Sequence, residues 1–337
     1  LKDKIKKENN IYTFKENMLL VITESEEEIE GLVAKLFEES FLQKEEKLKL
    51  IRKCNLEKFM WSWFQREYDY QNLEPNIKDF ALELFKSCFN LSINKNGTLN
   101  KQALLLFQRW KNNKNNFDIF EGLSKEFEKV LKVKENIINL NFKELLDFDF
   151  FKEIDCFIIK NLVNQIKEKT ISNIEVIRIL EERRKTYWFD EYKNIYFSLL
   201  YASEFLDAIS NLILKKYEFN EFLNVYSRSL FKIDQLYRKF IFYYQKSSQP
   251  TLLGDINNLI ENQYVNEFLL KVNNDFQKNI DELNSWESKS INSQRSFYNQ
   301  NIKKFTEKNK KCVVIISDAL RFEIGDELNN EIAQLDK

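Results

Sequence analysis

A chain of 337 residues with five Gly, two Pro and no His has the length of about two domains. It is too poor in turn residues for a doubly wound nucleotide fold or a many-stranded barrel. Lack of imidazole excludes His-based triads, His general acids and zinc sites with imidazole ligands. With 52 basic against 53 acidic residues, 43% hydrophobic and 31% charged, the composition is globular with a charged surface, and it carries no net field to attract nucleic acid or an anionic membrane.

The first 24 residues read differently from the rest. Ile11–Phe14 and Met18–Thr23 are short apolar, β-branched stretches, so residues 1–24 are expected to be a small hairpin or strand remnant of a preceding domain. The chain opens without Met and in mid-pattern, as a piece of a longer protein would. From Ser25 a helical period takes over. Ser25 and Glu28 have capping-box spacing, Glu26-Glu27-Glu28 favour a helix N-terminus, and Ile29, Leu32, Val33, Leu36 and Phe37 form one apolar stripe. Helices are expected over 56–70, 76–91, 98–111 and 117–133, separated by Pro75, Gly97 and the 112–116 Asn-rich loop. Residues 25–141 thus form one helical subdomain.

A second helical subdomain is expected over residues 142–310. Ser172 and Glu175 make another capping box. Phe219, Phe222, Leu223, Tyr226, Leu230, Ile233, Tyr237, Phe240, Ile241 and Tyr244 mark one long helix, on which Asp234 and Arg238 stand four apart. Pro250 and Gly254 end that element. Tyr264, Phe268, Val272, Phe276 and Ile280 then mark another long helix. There is no internal repeat of fixed period. The aromatic residues read as core.

The pattern breaks at Lys310. Cys312-Val313-Val314-Ile315-Ile316 is the apolar, β-branched run of a strand buried on both faces. The short polar turn Ser317-Asp318 and a helical pattern through Ile324, Leu328 and Ile332 follow it. A buried strand leading into a helix opens an α/β domain. Its sheet partner is either the early segment at 11–23 or residues outside the chain, since a lone strand leaves backbone groups unpaired. The fold class expected is therefore mainly α, a multi-helical region followed by the first strand and helix of an α/β domain at residues 311–337.

An Asp at the carboxyl end of such a strand is where α/β proteins place ligand-binding groups. Asp318 has two readings: an oxygen ligand for a divalent metal, or the cap of a helix beginning near Leu320. One carboxylate alone is not a metal site. Two basic–aromatic clusters, Arg183, Arg184 and Lys185 beside Tyr187 and Trp188, and Arg109 with Trp110 and Lys111, have residue types that stack on and pair with nucleic acid. Their other reading is a solvated face whose aromatics enter the core. Cys54, Cys88, Cys156 and Cys312 lack metal-knuckle spacing and read as small core hydrophobes. No uninterrupted apolar run exceeds five residues, so no membrane span and no membrane partner are expected, and the compartment expected is the cytoplasm.

The segment Val313-Val314-Ile315-Ile316-Ser317-Asp318-Ala319-Leu320-Arg321-Phe322-Glu323 resembles the opening motif of the PglZ family, a core component of BREX bacteriophage-resistance systems within the alkaline phosphatase superfamily. Phe297-Tyr298 resembles the family's Phe-Tyr element, and Glu182-Arg183-Arg184 with Trp188 and Tyr196, and Asp234 with Tyr237-Arg238-Lys239-Phe240, are similar to its helical region; Phe150–Asp155, and Trp61 with Tyr68 and Tyr70, are similar to the type A members of type 1 systems. The resemblance runs from about Ser25 onward. It implies that residues 311–337 open an alkaline-phosphatase-like domain, and that Asp318 is one ligand of a bimetallic phosphoryl-transfer site, zinc being the expected metal. Ser317, Arg321 and Glu323 belong to the motif without an assigned role.

The nucleophile and the other ligands would lie beyond Lys337, so the chain by itself is expected neither to catalyse nor to hold metal tightly. The function implied is the helical portion of a metal-dependent phosphatase or phosphodiesterase of antiviral defence. Other BREX proteins are the expected partners, with nucleic acid a further one in the complete system. The alternatives are a non-catalytic module that docks other BREX components, and a DNA-contacting region.

Overall fold

The computed structural model describes residues 10–25, 28–285, 287–288 and 291–335. Among them there is no strand, and the architecture is helical throughout. Contacts divide the chain into two compact units, Leu1–Ile159 with Glu182–Asp190, and Lys160–Glu181 with Glu191–Lys337. The sequence-based division at 141/142 falls inside the first of these.

The first unit begins with α1 (Ile11–Ile22), where a hairpin was expected. Asn10 supplies the reason: its side chain accepts from Tyr12 N, capping the helix, and Leu19 and Leu20 are buried together on one face. β-branched residues at 11, 13, 21 and 22 suggested strand, but burial of a helical face outweighs so weak a propensity. In α2 (Ile29–Phe41) the expected stripe is buried at Leu32, Val33, Leu36 and Phe37. Its N-cap is Glu28, with no side-chain cap bond. Ser25 pairs with Thr23 Oγ1 at 2.6 Å, so the expected capping box does not form; Glu26 and Glu27 lie outside the described residues.

Then follow α3 (Glu46–Lys53), α4 (Glu57–Tyr68), α5 (Ile77–Ser92), α6 (Lys101–Asn112), α7 (Phe117–Val130) and the short α8 (Val133–Ile137). The helices expected from periodicity fall within a few residues of α4 to α7. Asn76 caps α5 through Asp79 N and Asn100 caps α6 through Ala103 N, which is why those helices start where they do. Their stripes converge on an aromatic core. Phe85 lies 4.6 Å from Phe107, 5.3 Å from Phe127 and 5.6 Å from Phe151 (ring centroids), within the range of favourable aromatic pairs.

In the second unit, α11 (Phe189–Ser210) contributes buried Tyr196, Leu199 and Phe205 from Tyr196 onward. The chain also forms α9 (Lys152–Lys167) and α10 (Asn173–Arg183). Ser172 Oγ accepts from Glu175 N at 3.2 Å, as the second capping box requires. Both long helices expected from periodicity are present, each interrupted by π turns. α12 (Phe219–Val225) passes through π-helical Tyr226–Leu230 into α13 (Phe231–Ser247). α14 (Pro250–Asn262) passes through π-helical Gln263–Leu269 into α15 (Leu270–Asp281). Beyond these stand α16 (Lys303–Thr306) and α17 (Phe322–Leu335). Of the cysteines, Cys88 is buried, Cys156 is half-buried, and Cys54 and Cys312 are exposed, so the core reading fits Cys88 and fails for the exposed pair.

Candidate functional site

The expected strand Cys312–Ile316 is not in a sheet. No ladder reaches it among the described residues, and Val313, Ile315 and Ile316 are 86, 88 and 91% exposed. The early segment that might have paired with it is helical, and a helix offers no free backbone edge. The polar turn follows at Asp318–Ala319. Ala319 takes φ 52°, a left-handed conformation shared with nine other non-glycine residues among those described, Asp69 and Ser248 at helix ends among them.

α17 starts at Phe322, later than the Leu320 read from sequence, and its first turn closes on Arg321 O, which accepts from Ile324 N at 3.1 Å and Gly325 N at 3.0 Å. Asp318 is exposed, and no described residue donates a hydrogen bond to its carboxylate. It does not cap the helix. Ser317 and Arg321 are exposed beside it. Glu323 is the odd member of the motif: it is 1% exposed and its Oε1 is buried without a hydrogen-bond partner.

A metal needs several donors, and no group of three or more Asp, Glu or Cys among the described residues is placed to hold one. Asp318 stands alone. By themselves these residues do not fit a metal site.

Beneath α17 lies a cluster of tyrosines and carboxylates built by the π turns. Tyr226, in the first π turn, donates to Asp234 Oδ2 at 2.8 Å, and Tyr264, in the second, donates to Asp234 Oδ1 at 2.7 Å. The Tyr264 ring stacks on Tyr237 at 3.7 Å, and the Tyr237 hydroxyl donates to both oxygens of Glu261 at 2.9 Å. Burial, reinforced by the Asp234 carboxylate, raises the Tyr226 and Tyr264 phenols well above their ordinary value; burial and Glu261 push Tyr237 up to about 12. These phenols are neutral donors at any physiological pH.

Asp234 and Arg238, read from their spacing as a pair, turn to different partners. Arg238 and Lys239 both pair with Glu327 of α17, Lys239 at 2.7 Å. Burial raises Glu327, but hydrogen bonds from Lys239 and Arg238 outweigh it, so the carboxyl ends below its ordinary value.

The first unit answers the question of the basic–aromatic clusters. Arg183 is fully buried: its Nη2 donates to Asp155 Oδ2 at 2.6 Å, its Nε to Asp155 Oδ1 at 3.2 Å, and its Nη1 to the carbonyls of Leu146 and Phe148. Lys111 is paired with Asp149, whose other oxygen accepts from Tyr187 N. Arg109 pairs with Glu30 at 2.7 Å. Phe37 and Phe120 hold the Trp110 ring, while Trp188 lies against Phe120 and Tyr187. A cleft of about 470 Å³ beside Lys185 and Tyr187 has its central charges, Lys111 and Asp149, already paired with each other. Trp110 and Trp188 enter the core and Arg109, Arg184 and Lys185 stay exposed, as the solvated-face reading required, while Arg183 and Lys111 are buried on carboxylates, which that reading did not foresee.

Sequence reading missed the Asp234 cluster, because spacing pointed to Arg238 as its partner and π turns leave no sequence period. It also left Glu323 without a role.

Residues 297–337 match the family model described as the BREX system PglZ alkaline phosphatase-like domain. Over 320 residues, 90% of this chain and 37% of the relative, the sequence is 26% identical to an alkaline phosphatase-like protein PglZ of Bacillus cereus (strain H3081.97). Over 312 residues, 84% of this chain and 36% of the relative, it is 26% identical to an alkaline phosphatase-like protein BrxZ of Escherichia coli O9:H4 (strain HS). The chain spans a little over a third of the length of these curated relatives. No solved structure matches it. The resemblance to the PglZ family read from the motifs is borne out, and it extends over most of the chain. No described helix is long and apolar enough to cross a membrane.

Proposed function

We propose that this chain is the helical portion, with the opening segment of the phosphatase-like domain, of a metal-dependent phosphatase or phosphodiesterase acting in BREX antiviral defence in the cytoplasm. The observation that carries the reading is the family-domain match over residues 297–337, whose motif presents an exposed carboxylate at Asp318 in the turn before α17. Asp318 supplies one oxygen ligand to a divalent metal, zinc first among the candidates. Residues outside this chain supply the other donors and the nucleophile, so the chain alone is catalytically incomplete. The exposed apolar run Val313–Ile316 becomes the first strand of that domain's sheet, which removes its apolar surface from water. Its partners are other BREX proteins, on the strength of relatives that carry PglZ and BrxZ names.

The test is Asp318→Ala in a protein of the relatives' length, read by metal content and by hydrolysis of bis-para-nitrophenyl phosphate. Metal content and turnover both fall while far-ultraviolet circular dichroism stays unchanged. Unchanged metal content refutes the assignment of Asp318.

A further inference from the structure

The residues of the motif Ser317–Glu323 go to two different places. Ser317, Asp318 and Arg321 are exposed. Phe322 lies 5.1 Å from Phe231 and 6.3 Å from Tyr226 by ring centroid. Glu323 O accepts from Gln235 Nε2 at 3.2 Å, and one turn on Glu327 takes both Arg238 and Lys239. The order of these contacts rises along both elements (231 with 322, 235 with 323, 238 with 327), so α13 and α17 run in the same direction across the contact.

The floor of this contact is itself fixed. The Tyr226 ring under Phe322 is held through its hydroxyl to Asp234, and Asp234 is held from the other side by Tyr264. Tyr264 stacks on Tyr237 of α13. Burying a carboxyl oxygen without a donor, as at Glu323 Oε1, is unfavourable, and a loosely attached helix would turn that group to water. On the same helix, Phe322 before Glu323 rests on Phe231 and Glu327 one turn later pairs with Arg238 and Lys239, so that face of α17 is held against α13.

We propose that α17 is clamped to α13 by Phe322, the Glu323 backbone and Glu327, and that these three are positioning residues which hold the exposed half of the motif at a fixed place on the helical region. The alkaline-phosphatase-like segment is thus joined to the helical region by a built interface, and Arg238 and Lys239 of the helical region act through α17 on the turn that bears Asp318. The clamp stands on its contacts alone; its consequence for Asp318 rests on the function proposed above.

Charge reversal tests the clamp in the 337-residue chain, read by hydrogen exchange of the amides in Phe322–Leu335. Glu327→Lys places a third cation against Arg238 and Lys239, turning attraction into repulsion. Exchange in α17 accelerates about tenfold, with circular dichroism unchanged. Adding Arg238→Glu restores an opposite-charge pair and returns most of the protection. Phe322→Ala, which removes the ring on Phe231, also accelerates α17 exchange. Unchanged exchange in Glu327→Lys overturns the clamp, as does a double variant no better protected than the single one. None of these readings depends on metal or turnover, so their failure is distinct from failure of the Asp318→Ala test.

Discussion

Replacing Asp155 by Ala is the most demanding perturbation of the first unit. Asp155 and Arg183 are both 0% exposed and joined by two charge-assisted hydrogen bonds, at 2.6 and 3.2 Å. Such bonds contribute about 1.5–3 kcal/mol each, and breaking a buried pair by removing one partner costs about 3–5 kcal/mol; the two routes agree. The guanidinium stays in place, because its Nη1 still donates to the Leu146 and Phe148 carbonyls at 2.7 and 2.9 Å. It is left buried without the carboxylate's charge. Urea unfolding followed by tryptophan fluorescence reads the unit through Trp110 and Trp188, which are 4 and 2% exposed. With a urea slope of about 3 kcal/mol/M, the midpoint falls by about 1–2 M.

The pair of substitutions Asp155→Leu and Arg183→Met does not restore full stability. Exchanging a buried ion pair for apolar residues is close to neutral in itself, but here two carbonyls lose their donor, at about 1–3 kcal/mol each. A midpoint shift for Asp155→Ala under about 0.3 M would refute the reasoning, since it would place a fully buried pair in the energy range of exposed ones.

Phe85→Ala opens a void between Phe107, Phe127 and Phe151 and lowers stability by about 3–5 kcal/mol, measured in the same urea experiment; a loss below about 1 kcal/mol would mean that those rings close the gap. Glu327 sets a pH dependence. Its carboxyl is lower in the folded than in the unfolded chain, so the folded state binds fewer protons and its contribution is fully present above the ordinary glutamate value, near 4.3, and lost as pH falls through the folded value. Thermal melting of the wild type and Glu327→Gln should therefore differ at neutral pH, by about 1 kcal/mol or less for a half-exposed pair, and converge in acid; an equal difference at both ends would contradict this.

The positions of the helices were legible because their signals are local. The Leu32–Phe37 stripe and the Ser172–Glu175 box need only a few adjacent residues, and each was found where periodicity placed it. The segment at 11–22 was misread for the same reason: β-branched composition is local evidence, while burial of Leu19 and Leu20 is not. The motif at 313–323 was legible as a pattern of residue types, and that pattern is what the family match contains. Its division into an exposed and a docked half was not, since both Asp318 and Glu323 are carboxylates of that motif, and only the packing of α17 on α13 buries one and leaves the other exposed.

What the sequence determined by itself was the helical class, the places of the periodic helices between Ile29 and Asp281, and the family resemblance. What only the tertiary structure decided was the choice of partner among chemically equal residues. Arg183 reaches Asp155 across 28 positions, Glu327 reaches Arg238 across 89, and Asp234 is claimed by tyrosines from two π turns. A carboxylate on a helix has many cations and hydroxyls within reach of its pattern. Only the packing of helices, driven by apolar burial and not by the charges, determines which of them it meets.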